Sequence, residues 1–213
     1  MQHTALFLIG LLAAAVLPAN AATLYVDANH CPSGNGTAWS EAFCTISEAV
    51  ATASPGDSVV VKAGTYRGGI EITKPLSIYG GFSGTETYPD ERDLATNESV
   101  VDISPDDAPR RCFYINGASD VVLDGLVLKT GTKFLSSSSG GLSILAENMG
   151  ARNYIQHCKF DGNTTAYTQS LQGGTLYFSG EEVTLRDCSF GNSSGGSGSL
   201  VYLACTKPSG LFD

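Results

Sequence analysis

Six cysteines are the residues of this chain whose type and number could most plainly do chemistry: Cys31, Cys44, Cys112, Cys158, Cys188 and Cys205. Cysteines can oxidise in pairs, ligate a metal as thiolates, or pack as small apolar groups. No pair has the C-x-x-C spacing of zinc or redox sites, and His3, His30 and His157 do not cluster with them, which argues against a cysteine-held metal. Six cysteines allow 15 pairings. The first disulfide to expect joins Cys31 to Cys44 and closes a short loop; the second joins Cys158 to Cys188. Cys112 and Cys205 fit buried free thiols equally well. A glycosidase needs two facing carboxylates, but Glu181 and Glu182 are adjacent, and neighbours in a strand point to opposite faces. Asn35, Asn97, Asn163 and Asn192 each begin an Asn-x-Ser/Thr triplet, the N-glycosylation acceptor pattern. Chance also produces such triplets at Asn- and Ser-rich corners, and in a bacterial chain it is the whole account. Tyr66, Tyr79, Tyr88, Phe134 and Tyr167 are the aromatics that could stack on sugars; Tyr79, like Phe82, also suits core or corner packing.

The elements that must position these residues are short. Val59–Val61, Ile70–Ile72 and Leu76–Tyr79 are β-branched or apolar runs separated by Gly- and Pro-containing corners. Close, regular strands with turn residues between them point to a β-solenoid, sandwich or barrel. Leu24–Asp27 reads as a first strand. Phe43, Ile46, Ala49, Val50 and Ala53 fall on one helical face, so Ser40 to Ala53 is expected to be a helix ended by Pro55-Gly56-Asp57. Placed just before a stack of strands, that helix would cap its open apolar end. After a polar excursion from Ser83 to Ser99, strands resume at Val100, Cys112, Val121 and Leu126 and continue to Leu203.

Two stretches look like copies. Tyr154 to Asn163 and Val183 to Asn192 each carry two apolar positions, then Cys-x-Phe, then Gly-Asn. Val121 to Leu128 is a looser copy, and the spacing of about 24 to 32 residues suits one solenoid coil plus a variable loop. A β-sandwich is the competing architecture, and Asp124-Gly125 would suit its hairpins.

The chain has 213 residues, a net charge of −9 and 12 Lys and Arg, a balance that argues against nucleic acid as a partner. With 25 glycines and 15% charged residues it has the turn-rich composition of extracellular β proteins. Leu6 to Val16 is apolar but too short to span a bilayer, and Ala19-x-Ala21 follows it as a small-residue cleavage site. Residues 1–21 therefore read as a secretory signal peptide, with no transmembrane helix in the mature chain. Residues 22–57 form an N-terminal strand, loop and capping helix, and 58–213 the coils, which stop without a C-terminal cap.

Glu48-Ala49, Gly56-Asp57-Ser58-Val59, Ala63-Gly64-Thr65-Tyr66, Lys74-Pro75-Leu76, Gly80-Gly81-Phe82 and Gly84-Thr85-Glu86 together resemble the N-terminal part of secreted right-handed parallel β-helix proteins of the pectin-lyase-like superfamily. Phe160-Asp161-Gly162-Asn163 and Gly173-Gly174-Thr175-Leu176 resemble the FxxN and GGA(I/L/V) repeats of polymorphic outer membrane protein-like β-helices; Phe190-Gly191-Asn192 is one residue short. The resemblance implies an all-β, right-handed single-stranded parallel β-helix with a capping helix, a short or truncated member of its kind. It implies a secreted or cell-surface location, outer-membrane associated if bacterial, and an adhesin-like role with glycans or cell-surface proteins as partners. Lyases of this fold take a proton with Arg or Lys and use Ca²⁺ held by Asp to acidify it. The residues available for that alternative are Arg110, Arg111, Lys129, Asp102, Asp106, Asp107 and Asp124, but none lies in a matching motif. The expectation is therefore a non-catalytic module with no catalytic residues and no metal or other cofactor, Ca²⁺ entering only with the lyase alternative.

Overall fold

The computed structural model describes residues 21–86, 89–103, 111–133, 142–145, 152–165, 175–192 and 201–205. Residues 1–20 of the expected leader and the residues Tyr88, Asp106, Asp107, Arg110, Phe134 and Tyr167 lie outside them. The described chain is all-β, in three sheets whose strand pairs are parallel. The first sheet runs β1 (Thr23–Val26), β2 (Ser58–Lys62), β5 (Ser77–Phe82), β8 (Val121–Asp124), β12 (Arg152–Gln156) and β16 (Glu182–Arg186). The second contains β3 (Gly64–Arg67), β6 (Ser99–Asp102), β9 (Leu126–Lys129), β13 (Lys159–Asp161) and β17 (Ser189–Gly191). The third contains β4 (Ile70–Ile72), β7 (Phe113–Asn116), β11 (Leu142–Leu145), β15 (Leu176–Gly180) and β18 (Val201–Cys205). Two short strands, β10 (Thr132–Lys133) and β14 (Thr164–Thr165), pair beside them. From β2 onward the chain visits the first, second and third sheets in turn and then begins again.

Parallel pairing puts like on like. The inward row Leu24, Val59, Ile78, Leu123, Ile155 and Leu185 runs through the first sheet. Tyr66, Val101, Leu128, Phe160 and Phe190 line the second, and Ile72, Ile115, Ile144 and Phe178 the third. These rows meet in one apolar core. Phe160 and Phe190 stack nearly parallel, with ring centroids 4.8 Å apart, about one strand spacing.

The corners follow the same logic. After the first sheet, Gly125, His157 and Asp187 follow strand residues paired in register, and all three have left-handed backbone (φ 71°, 49° and 49°). After the second, Thr130, Gly162 and Asn192 do the same (φ 49°, 65° and 46°). Gly, Asn, Asp and His suit this region; a β-branched Thr does not. Thr130 is held there by its hydroxyl, which donates to Ile103 O at 2.9 Å and also contacts Asp102. Asp124-Gly125 is thus a corner between two sheets and not a hairpin.

The same register corrects the copies. Cys158 and Cys188, and Phe160 and Phe190, do align, but Asn192 takes the place of Gly162. Asn163 is a different position. Its Oδ1 accepts from Gly131 N at 3.0 Å and its Nδ2 donates to Leu128 O at 2.7 Å, satisfying the backbone where the previous circuit turns.

The expected helix is shorter. A single 3₁₀ turn covers Trp39–Glu41, and α1 spans Ile46–Thr52. Thr45 begins it: its Oγ1 accepts from Glu48 N while the Glu48 carboxylate accepts from Thr45 N, a reciprocal cap that fixes the start. Phe43 is not on the helix; its backbone bonds to Tyr25 and Asp27. At the other end Lys74 donates to the carbonyls of Ala51 and Ala53. Ile46, Ala49 and Val50 are buried, and α1 packs against β1, β2 and β4. Among the described residues no helix is long and apolar enough to cross a membrane.

Candidate functional site

The first sheet's outer face carries two rows in register. One is Tyr25, Val60, Tyr79, Asp124, Gln156 and Arg186; the other is Thr23, Ser58, Ser77, Val122, Tyr154 and Thr184. The N-terminal part is covered. Trp39 packs edge-on against Tyr25 and tilted against Phe82, and Val60 is buried. The C-terminal part is open, with Tyr154, Gln156 and Thr184 half-exposed and Arg186 exposed.

At the boundary lies a cluster the sequence does not assemble. Asp124 is only 5% exposed. Its Oδ2 accepts from Arg92 Nη2 at 2.8 Å, and its Oδ1 lies 2.8 Å from His157 Nδ1, the position of an Nδ1–H donor. His157 Nε2 faces Asp187 Oδ2 at 3.6 Å. Arg92 also donates to Gly80 O at 3.2 Å and lies over the Tyr79 ring, 5.5 Å from its centroid. A buried carboxylate is tolerable here because both oxygens are met by donors, one of them a permanent cation.

The excursion after β5 delivers Arg92, and it is fastened along its described length. Glu86 accepts N–H bonds from Ser83, Gly84 and Thr85. Partial burial pushes its carboxyl up, but these donors outweigh it and carry the group down to about 2. Trp39 Nε1 donates to Glu86 O at 3.0 Å. Leu94 lies over Gly81 and Gly125, where an added Cβ would come within 2.4 and 2.5 Å of its Cδ2. Ser99, fully buried, closes the segment by donating to Val61 O at 2.8 Å. The Gly80-Gly81 and Gly84-Thr85-Glu86 motifs are thus the seat and the clip of the segment that carries Arg92.

Of the residues available to a lyase, the four described ones, Arg111, Lys129, Asp102 and Asp124, are dispersed. Arg111 stacks over Tyr114 at 4.4 Å on the third sheet, and its burial lowers its pKa. Lys129 and Asp102 pair in register on the outside of the second sheet. Among the described lyase candidates, Asp124 is the one that reaches the cluster. Among the described residues no group of three or more His, Cys, Asp and Glu could hold a metal ion. Tyr66 is buried with its hydroxyl donating to Lys62 O at 2.8 Å, so it cannot stack on a sugar. Phe82 is core, and Tyr79 lies half-exposed beneath Arg92.

Cys31 and Cys44 form a disulfide, with Cα atoms 5.2 Å apart. Cys158 and Cys188 do not: both are thiols, stacked in register. Each donates down to a carbonyl of the circuit below, Cys158 to Leu123 O and Cys188 to Ile155 O. Side chains aimed the same way stack without turning towards each other. Burial pushes both thiols up, as it does Cys112, which rises to about 12.

His157 could have been found in the sequence, because laying Cys158-Lys159-Phe160 on Leu126-Val127-Leu128 of the looser copy puts it at the corner that follows Asp124. Arg92 could not, since the excursion has no copy elsewhere in the chain. Compared with family models, with curated proteins and with solved structures, the chain has no match in any of the three.

Proposed function

We propose that this chain is a secreted or cell-surface module, a right-handed parallel β-helix of the pectin-lyase-like kind capped by α1, and that it binds glycan on the open part of the first sheet's outer face. The threefold visiting order and the stacked rows support the β-helix, and the packing of α1 against β1, β2 and β4 supports the cap. The Cys31–Cys44 disulfide suits an oxidising location outside the cytoplasm. The observation that carries the ligand class is the surface beside Asp124. Two half-exposed tyrosines, Tyr79 and Tyr154, stand two strands apart, about 10 Å along the stack. Between and beside them lie Asp124, Gln156 and His157, with Arg92 on one side. Rings that stack on sugar faces, set among amides, guanidinium and imidazole that bond hydroxyls, are the chemistry of carbohydrate contact.

Binding of a glycan panel to the intact protein tests this. Tyr154→Ala and Arg186→Ala alter outward side chains, so folding should survive, and at least a tenfold loss of affinity is expected for the glycan that binds best. Unchanged affinity in both variants would remove this face from consideration.

A second reading, a glycan-active enzyme, draws on the Asp124–His157 contact, since a carboxylate that orients an imidazole is a recurring acid–base arrangement. Its test is the ultraviolet absorbance of an unsaturated uronate product from uronate polymers, with and without Ca²⁺. Turnover that His157→Gln abolishes would favour it over simple binding.

A further inference from the structure

The four Asn-x-Ser/Thr triplets are alike in sequence and unlike in structure. Asn163 is fully buried, and its Nδ2, the atom that would take a sugar, donates to Leu128 O at 2.7 Å. The triplet at Asn97 ends in Ser99, also fully buried, whose hydroxyl donates to Val61 O and accepts from Gly81 N. Asn192 is exposed, but its Nδ2 donates to Asp161 Oδ1 at 2.8 Å, tying two circuits together. Asn35 differs from all three. Asn35 and Thr37 are both exposed, and the Thr37 hydroxyl and N–H donate to Asn35 Oδ1 at 2.7 and 3.0 Å. That turn engages Oδ1, the oxygen of the amide, and sets the hydroxyl of the third residue against it.

The loop that presents this turn is tied at several points. The Cys31–Cys44 disulfide closes it, and Gly36 O accepts from Tyr25 N at 2.9 Å. Gly36 has left-handed backbone (φ 77°), and an added Cβ would lie 2.2 Å from the Phe43 ring. Glycine is therefore required between Asn35 and Thr37 for two independent reasons.

We infer that Asn35 is an N-glycan acceptor of this protein and that Asn163 is not. In the step, the anomeric carbon of a lipid-pyrophosphate-linked oligosaccharide bonds to Asn35 Nδ2. The carbon–oxygen bond to pyrophosphate breaks, the lipid pyrophosphate leaves, and the amide gives up one proton. No oxidant or reductant takes part. Attachment precedes folding, so burial acts afterwards. A sugar on Asn163 cannot enter the core, and a chain carrying one cannot close the corner at Gly131. A sugar on Asn35 projects into solvent and leaves every circuit intact.

Secretion of the full chain from eukaryotic cells, followed by enzymatic deglycosylation in heavy-oxygen water and peptide mass spectrometry, tests both halves. The expected result is a heavy-oxygen Asp at position 35 and unmodified Asn163 in the folded, secreted fraction. An unmodified Asn35 overturns the inference, and so does a glycan on Asn163 in that fraction. Translation into microsomal vesicles reads the acceptor without requiring secretion. There Asn35→Gln and Thr37→Ala should each remove one glycan-sized step on a gel, and a chain that keeps all its steps in both variants overturns the assignment.

Discussion

The N-terminal region and the later circuits hold the same kind of stack together by different means. Before β6, cohesion comes from particular fasteners: the Cys31–Cys44 disulfide, the Thr45–Glu48 cap, Lys62 on Asp27 at 2.7 Å, and Glu86 on its three N–H donors. Among the described residues none has a copy in another circuit. From β8 onward cohesion comes from repetition: Phe160 on Phe190, Cys158 beneath Cys188, and the row Leu123, Ile155 and Leu185. In the N-terminal region the disulfide, the Lys62–Asp27 pair and the Trp39–Glu86 bond each join different segments of the chain. A region between neighbours of its own kind needs only the same residue in the same register. Substitutions should therefore act locally at the N-terminus and spread through neighbouring circuits further on.

The largest effect should come from the repeated part. Phe160→Ala removes a buried ring and its stacking partner, with an expected loss of about 3–5 kcal/mol. Denaturant unfolding measures it, and hydrogen exchange should show lost protection in β9, β13 and β17 together. Protection lost in β13 alone would break the contrast.

Removing the disulfide by Cys31→Ser with Cys44→Ser should cost about 3 kcal/mol, given the 13-residue separation. Exchange should here quicken only around β1 and the loop, with β12 to β18 unchanged. Asn163→Ala follows, at about 1–3 kcal/mol, because it strands the Gly131 N–H and the Leu128 carbonyl. Thr45→Ala should cost about 1 kcal/mol and fray α1 without touching the sheets.

The smallest effect is the acid release of the excursion. The folded pKa of Glu86 lies near 2, below the ordinary value of 4.5, so its contribution is fully present above pH 4.5 and is lost as pH falls towards 2. Trp39 fluorescence should report that release, since its indole bonds Glu86 O. In Glu86→Gln the Trp39 signal should be flat across the same window.

Most strand positions were legible because apolar runs with glycine corners leave little choice. Ile70–Ile72 and Leu142–Leu145 are as the sequence suggests, and the other expected strands shift at their ends by up to three residues. The short pair β10 and β14 was not legible, since two residues carry no pattern. The helix is shorter than its apolar period suggests because Phe43 fits that period while its backbone pairs with β1. The described lyase candidates lie in no common motif, and sequence distance says nothing about which of three sheets a residue faces. The pairing of Cys158 with Cys188 failed for a related reason: stacked equivalents point the same way.

The amino-acid order alone determined that the chain is all-β, that its elements are short, and that its later parts repeat, because inward apolar runs and left-handed corners are local demands. It also selected Cys31 and Cys44, whose loop is short. Only the tertiary structure decided that Arg92, Asp124 and His157 meet, that Asn192 replaces Gly162, and that Asn163 is buried while Asn35 is exposed. Each of those depends on register between strands far apart in the chain, and register is settled by the whole stack of rows and not by any one of them.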